Sequence, residues 1–308
     1  MISAPLRPRV NVYEAIAANR WRTLMLVATF AALVAAIAYA AGEWFAPGGG
    51  VAALPFGLGV SALSAAGSYL AGDKVVLAMS QARELREGEE PQLRNVVEAL
   101  AIGSGVPMPK LHVIEDSAPN AFATGRDPAH ASIAVTRGLL DKLERTELEG
   151  VLAHELSHVA NRDIRTMLLA AVLAGTIVLF ADLLFRSLRF GGGRHRGRDR
   201  GGAGGLLLVV ALVLAIVGPI VARIITLAIS REREYLADAS AALLTRYPPG
   251  LAGALRKIAA DREPLEVANK ATESLYIANP LKDRPVFLDG LFDTHPSIEE
   301  RIRRLEAM

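Results

Sequence analysis

The chain has 308 residues, 52% of them hydrophobic and 21% charged, with a formal net charge of +2 and no cysteine. That length allows one ordinary globular domain plus several membrane helices, and a mean hydropathy of +0.30 lies between a soluble enzyme and a chain wholly inside lipid. The small net charge argues against a nucleic-acid partner, and the lack of cysteine excludes disulfides, thiol nucleophiles and thiolate-bound metal, so any metal must be held by His, Asp or Glu.

Residues 1–22 form a tail carrying Arg7, Arg9, Arg20 and Arg22, a charge pattern that predicts a cytoplasmic N-terminus. An apolar stretch from Thr23 to Gly42 follows, about the length that a bilayer core requires. A cleaved signal peptide is its rival because "AYA" resembles a cleavage site, but the apolar run is longer than a signal core. The second stretch, Val51 to Gly72, is rich in Gly, Ala and Ser, which suits close helix packing in lipid. The intervening "EWFAPGGG" has no Lys or Arg and fits the far side, so residues 23–72 read as a transmembrane hairpin.

Residues 73–165 read as the first part of a cytoplasmic domain. In "EPQLRNVVEALAIGSGV" Leu93, Val96, Val97 and Leu100 recur at helical spacing until Gly103 and Gly105, while "KLHVIED" and "SIAVTRG" read as short strands. In "RTELEGVLAHELSHVANRD" Thr146 and Glu149 have capping-box spacing, which predicts a helix that begins there with two histidines in its middle turns. The third and fourth apolar stretches, Thr166 to Phe185 and Leu206 to Ile229, make a second hairpin over 166–229. Its connecting loop, 186–205, holds six arginines among many glycines. An in-out count puts this loop on the far side, against the positive-inside rule. Either the hairpin spans and the loop meets anionic head groups, or both segments are re-entrant and the loop stays cytoplasmic. Residues 230–308 are polar and helical in pattern, ending in the amphipathic "PSIEERIRRLEAM". The expected fold class is therefore an α-helical integral membrane protein with about four membrane segments and an α+β domain.

His154 and His158 are four positions apart, so on a helix their imidazoles share one face and can bind one zinc ion. Glu155 lies about 100° round the helix from His154, where a carboxylate contacts metal-bound water rather than metal. A catalytic site needs a third ligand, and "SREREYLADAS" offers Glu234, with Glu232 a competitor by spacing. Asp238, one turn later, is placed to accept the free N–H of a ligand histidine. The plainer reading of this stretch is a charged helix leaving the membrane. Asp182, near one end of its apolar segment, reads as interfacial, and His112 and His130 show no ligand spacing.

Five stretches carry a resemblance in this order: "VPMPKLHVIEDSAPNAFATGRDP", "AVTRGLLDKL", "TELEGVLAHELSHVANRD", "SREREYLADASAALL" and "THPSIEERI". Together they resemble the HtpX heat-shock membrane proteases, relatives of the CAAX prenyl endopeptidases among the gluzincins. The resemblance implies a zincin-like metalloprotease domain, one Zn2+ per chain on His154, His158 and Glu234, Glu155 as general base, and Asp238 bonded behind a ligand. The Arg/Gly-rich loop is unlike a family signature. Periodicity alone favours a plain loop or strand for "PNAFATG"; the resemblance implies that Asn120, Ala121, Phe122 and Ala123 form a sheet edge that pairs with substrate backbone. His295 is a candidate oxyanion donor, or equally a cap before the last helix.

From His158 to Glu234 is 76 positions, of which the second hairpin takes 64. Ligands on both sides of it must meet, so both its ends lie on one side of the bilayer and the histidine helix sits at the membrane surface. The expected function is a membrane-bound zinc endopeptidase, and the resemblance implies quality control of misfolded or damaged membrane proteins. Its partners are then unfolded protein segments and the lipid bilayer, with no nucleic acid, and its location is the inner (plasma) membrane of a bacterium, multi-pass, with the catalytic domain facing the cytoplasm. A narrow-specificity processing protease of the prenyl-peptide type and a non-enzymatic zinc-bearing scaffold are the alternatives.

Overall fold

Two long helices, α1 (Val12–Phe45) and α2 (Gly50–Met79), open the chain. The computed structural model describes residues 12–173, 176, 231–268, 272–281 and 296–308. Most of the second expected hairpin lies outside them, as do its Arg/Gly-rich loop, Asp182 and His295. Among the described residues two stretches are long and apolar enough to cross a membrane, Trp21–Ala40 with mean hydropathy 2.2 and Gly50–Met79 with 1.5. They bear exposed Leu24, Met25, Phe56, Leu63 and Leu70, large apolar side chains that suit hydrocarbon better than water. The helices approach closely where Gly57 faces Ala38: a Cβ on Gly57 would lie 2.7 Å from that of Ala38.

α2 overruns its expected end at Gly72 by seven residues. The reason is packing, because Val76 and Leu77 leave the apolar hairpin and join a buried cluster with Ile114, Phe122, Met167, Leu168 and Tyr276. One helix thus runs from the membrane segment into the globular core.

Next come β1 (Arg83–Glu84), α3 (Pro91–Ser104), β2 (Lys110–Ile114), β3 (Ala121–Gly125) and β4 (Ala131–Thr136). The buried Leu93, Val96, Val97 and Leu100 of α3 follow the expected stripe. The strands form one sheet in the order β1-β2-β4-β3, with β2 and β4 parallel and the outer pairs antiparallel. This leaves β3 at an edge, with Phe122 opposite Ala134.

After α4 (Arg137–Lys142) comes the histidine helix α5 (Arg145–Ala160), and residues 163–173 are helical again, α6. The last elements are α7 (Arg231–Thr245), α8 (Pro248–Ala260) and α9 (Ile298–Glu306). α5 is buried from Gly150 to Val159, packed against α3, α7, α8 and β3. Its start differs from expectation. The capping box uses Glu144 and Glu147, two residues before the expected Thr146 and Glu149. Glu147 Oε2 accepts the Glu144 N–H at 2.8 Å and Lys257 Nζ of α8 at 2.6 Å. A carboxylate can cap as a hydroxyl does, and the lysine compensates its charge.

α8 crosses α5 at Gly150, where an added Cβ would lie 2.6 Å from the Leu251 backbone nitrogen. Alanine is otherwise the better helix former by up to about 1 kcal/mol. Overpacking against backbone reverses that sign, and Gly150→Ala is expected to destabilise the protein by about 1–3 kcal/mol. A lowered thermal unfolding midpoint in detergent checks this; an unchanged or raised midpoint contradicts the packing described.

Candidate metal centre

His154 and His158 project from one face of α5, with ring centroids 4.8 Å apart and planes at 89°. Glu234 comes from the first turn of α7, with its carboxylate oxygens 3.7 Å from His154 Nε2 and 3.6 Å from His158 Nε2. One ligand atom from each of the three lies within 4.8 Å of the others, and all three residues are buried. Glu232, the competitor by spacing, is exposed.

The orientation of each imidazole is set from behind. His154 Nδ1 lies 2.9 Å from Asp238 Oδ1, as the one-turn spacing from Glu234 predicts. His158 Nδ1 lies 3.1 Å from Asp163 Oδ2, a partner that sequence reading missed. Carboxylates only accept, so both Nδ1 atoms carry hydrogen and both Nε2 atoms present lone pairs. The 3.2 Å approach of the two Nε2 atoms is therefore no hydrogen bond in that tautomer; it brings two lone pairs toward one point. By the same logic the Arg301 Nη2 contact at 3.3 Å from His154 Nδ1 joins two donors, and the true acceptor of both is Asp238.

Asp163 owes its place to the chain turn between α5 and α6. Arg162 adopts φ +60, a left-handed conformation of modest cost for a non-glycine residue. The turn returns the next carboxylate to the helix just completed. Arg233, beside Glu234 on α7, holds the other oxygen of Asp163 with its Nη1 at 3.5 Å. The missed signal was an acid five residues after the second histidine.

Glu155 is 1% exposed. Burial pushes its carboxyl up to about 7, opposed by His158, reinforced by Glu234 and again opposed by Arg301 and the Ala123 N–H that bonds it. Burial depresses His158, but Asp163 and Glu234 outweigh it and raise the imidazole to about 9. Burial and the Arg301 charge lower His154.

Charge supplies a test of fit. Glu155, Asp163, Glu234 and Asp238 are at most 2% exposed, against buried Arg233 and Arg301. Among the described residues the buried carboxyl groups at the centre thus outnumber the buried guanidiniums, an imbalance that a divalent cation offsets. The upward shift of His158 expresses the same imbalance, since proton and metal compete for one lone pair. Two nitrogen donors and a carboxylate without thiolate form a donor set suited to a divalent ion such as zinc.

The expected substrate strand is β3 with Asn120 before it, and all four of its named residues are buried. Its edge is not wholly open. Ile277 N–H donates to the Ala121 carbonyl at 3.0 Å, and Asn120 Nδ2 donates to the Ala278 carbonyl at 3.1 Å. Tyr276 anchors this covering segment, packing edge-on against Phe122 and donating its hydroxyl to Ser80 Oγ at 3.1 Å. Among the described residues, Ile277 and Ala278 thus meet the Ala121 backbone and the Asn120 side chain, at one end of the stretch expected to pair along Asn120 to Ala123. Nothing in the local pattern of "SLYIANP" announces a strand cap. His130 is exposed beside Asp127 at 2.8 Å, and His112 is buried on β2; neither enters the centre.

Residues 87–308 match the model for peptidase family M48. A "Protease HtpX homolog" of Dictyoglomus thermophilum is 45% identical over 300 residues, covering 96% of this chain and 94% of the relative. One from Ligilactobacillus salivarius is 44% identical, covering 96% and 100%. The crystal structure of S. mikatae Ste24p shares the fold with a TM-score of 0.50 at 19% identity, over 96% of this chain and 67% of that one. The family match includes every clustered residue and the curated relatives run alongside the apolar helices as well, so the chain belongs to peptidase family M48, among homologues of the HtpX proteases.

Proposed function

We propose that the protein is a membrane-bound zinc endopeptidase in which His154, His158 and Glu234 hold one Zn2+ per chain. The observation that carries this reading is the convergence of His154, His158 and Glu234, buried and with one ligand atom from each within 4.8 Å of the others. When bound, the ion polarises the scissile carbonyl and acidifies a water. Glu155 takes the proton of the attacking water and returns it to the amine nitrogen as the C–N bond breaks. Asp238 and Asp163 hold the ligand imidazoles in the tautomer required. The edge of β3, with Asn120 before it, aligns an extended substrate by backbone pairing, on a strand that packs directly against the histidine helix.

The substrates are segments of misfolded or damaged membrane proteins at the bilayer surface. Support comes from the fold itself, since α2 runs without a break from an apolar span into the core beside β3. Thr23 and Thr166, the first residues of the first and third apolar stretches, meet through their hydroxyl oxygens at 2.9 Å. Both stretches therefore start at one level. Together with the N-terminal arginines this favours a multi-pass protein of the bacterial inner membrane with its catalytic domain facing the cytoplasm. His295 stays a candidate oxyanion donor on its sequence position alone.

Cleavage of an unfolded protein by the detergent-purified, zinc-loaded chain tests the reading. Glu155→Gln is expected to keep stoichiometric zinc and lose about 10²–10⁴-fold in rate; a variant that cuts as fast as wild type would remove Glu155 from the mechanism. Asp163→Asn is expected to weaken zinc binding by about 10–100-fold in a chelator competition. Equal affinity would mean that the His158 imidazole needs no partner behind it.

A further inference from the structure

The last helix carries a charge in the middle of its apolar stripe. Ile298, Ile302 and Leu305 of α9 pack on the main core, and Arg301 shares their face with 0% exposure. A buried guanidinium is costly unless its donors are matched. Nε and Nη2 form a fork on Asp238, at 2.9 Å to Oδ2 and 2.7 Å to Oδ1. Nη1 donates to the Ile277 carbonyl at 2.8 Å and lies 3.7 Å from Glu234 Oε2. Asp238 Oδ1 is in turn 2.9 Å from His154 Nδ1.

We propose that Arg301 is a positioning residue of the metal centre, whose fork locks Asp238, and through it the His154 imidazole, with Nε2 toward Glu234 and His158. Its third donor fixes Ile277, whose N–H closes the β3 edge at Ala121, so one side chain sets both a ligand and the boundary of the substrate edge. Each histidine is thereby backed by a carboxylate and then an arginine: His154, Asp238 and Arg301 on one side, His158, Asp163 and Arg233 on the other. The first relay is the tighter, with three contacts below 3 Å. A lysine keeps the charge but cannot reproduce a planar fork. Docking of α9 does not depend on Arg301 alone, because Arg304 lies over the Tyr235 ring at 3.6 Å and the apolar stripe remains. The inference rests on the reading of His154, His158 and Glu234 as zinc ligands.

The test is zinc affinity of the full-length protein in detergent, measured by chelator competition, with the unfolding midpoint read alongside. Arg301→Lys is expected to bind zinc about 10–100-fold more weakly than wild type. Adding it to Asp238→Asn is expected to cost little more than Asp238→Asn alone, since both act through one contact. In Arg301→Ala, millimolar guanidinium ion is expected to restore affinity, a rescue that general loosening of the fold does not give. Should Arg301→Ala fail to fold, the lysine variant and the double variant decide. Affinity of Arg301→Lys within about twofold of wild type, or losses that multiply in the double variant, would overturn the proposal. A wild type that binds no zinc, or a Glu234→Gln variant that binds as tightly as wild type, would overturn the ligand assignment itself and this inference with it.

Discussion

The constraint on which the rest of the molecule depends is an excess of negative charge held out of water around two imidazoles. Each buried ion costs several kcal/mol unless it is matched, so every carboxylate near the centre must find a cation, a donor or a metal. The matches come from far apart in the chain: Asp163 follows α5, Glu234 and Asp238 lie on α7, and Arg301 comes from the last helix. A fold that satisfies them must wrap α5 on every side, and α5 is accordingly enclosed by α3, α7, α8 and the edge strand. Apolar packing supplies the stability of that enclosure, while the polar matches fix its geometry.

The membrane enters the same arrangement through α2. Its final turns share a cluster with Phe122 of β3 and Tyr276 of the segment that covers the edge. The end of α2, the β3 strand and the segment around Tyr276 are therefore one packed unit rather than a globular domain on a loose tether. This accounts for a metal motif lying a few residues from apolar sequence: α6 starts at the level where α1 enters its apolar stretch, and the ligand helix is held just beside it.

Much of the centre was legible because its chemistry is periodic. Two histidines four apart are a statement about one helix face and fall where that periodicity puts them, whereas Glu234 competed with Glu232 by spacing and was singled out by the resemblance. The elements that depend on distant partners were not legible. Asp163 matters only because Arg162 turns the chain back, and Arg301 looks like one of several charges until its position between Ile298 and Leu305 is weighed. The cap at Glu144 and Glu147 was missed because hydroxyl caps were favoured over a carboxylate whose compensating Lys257 lies on another helix. The meeting of Ala121 with the Ile277 N–H, and of the Asn120 side-chain amide with the Ala278 carbonyl, joins residues more than 150 positions apart, which no local pattern encodes.

The central claim is that two imidazoles of α5 and one carboxylate of α7 bind a single zinc ion. X-ray absorption at the zinc edge, on full-length protein with zinc counted by elemental analysis, tests it most directly. The account predicts one zinc per chain, with two histidine nitrogens at about 2.0–2.1 Å and oxygen at about 2.0–2.2 Å, and loss of that signature in Glu234→Gln. Substoichiometric zinc, or a spectrum that Glu234→Gln leaves unchanged, would contradict it.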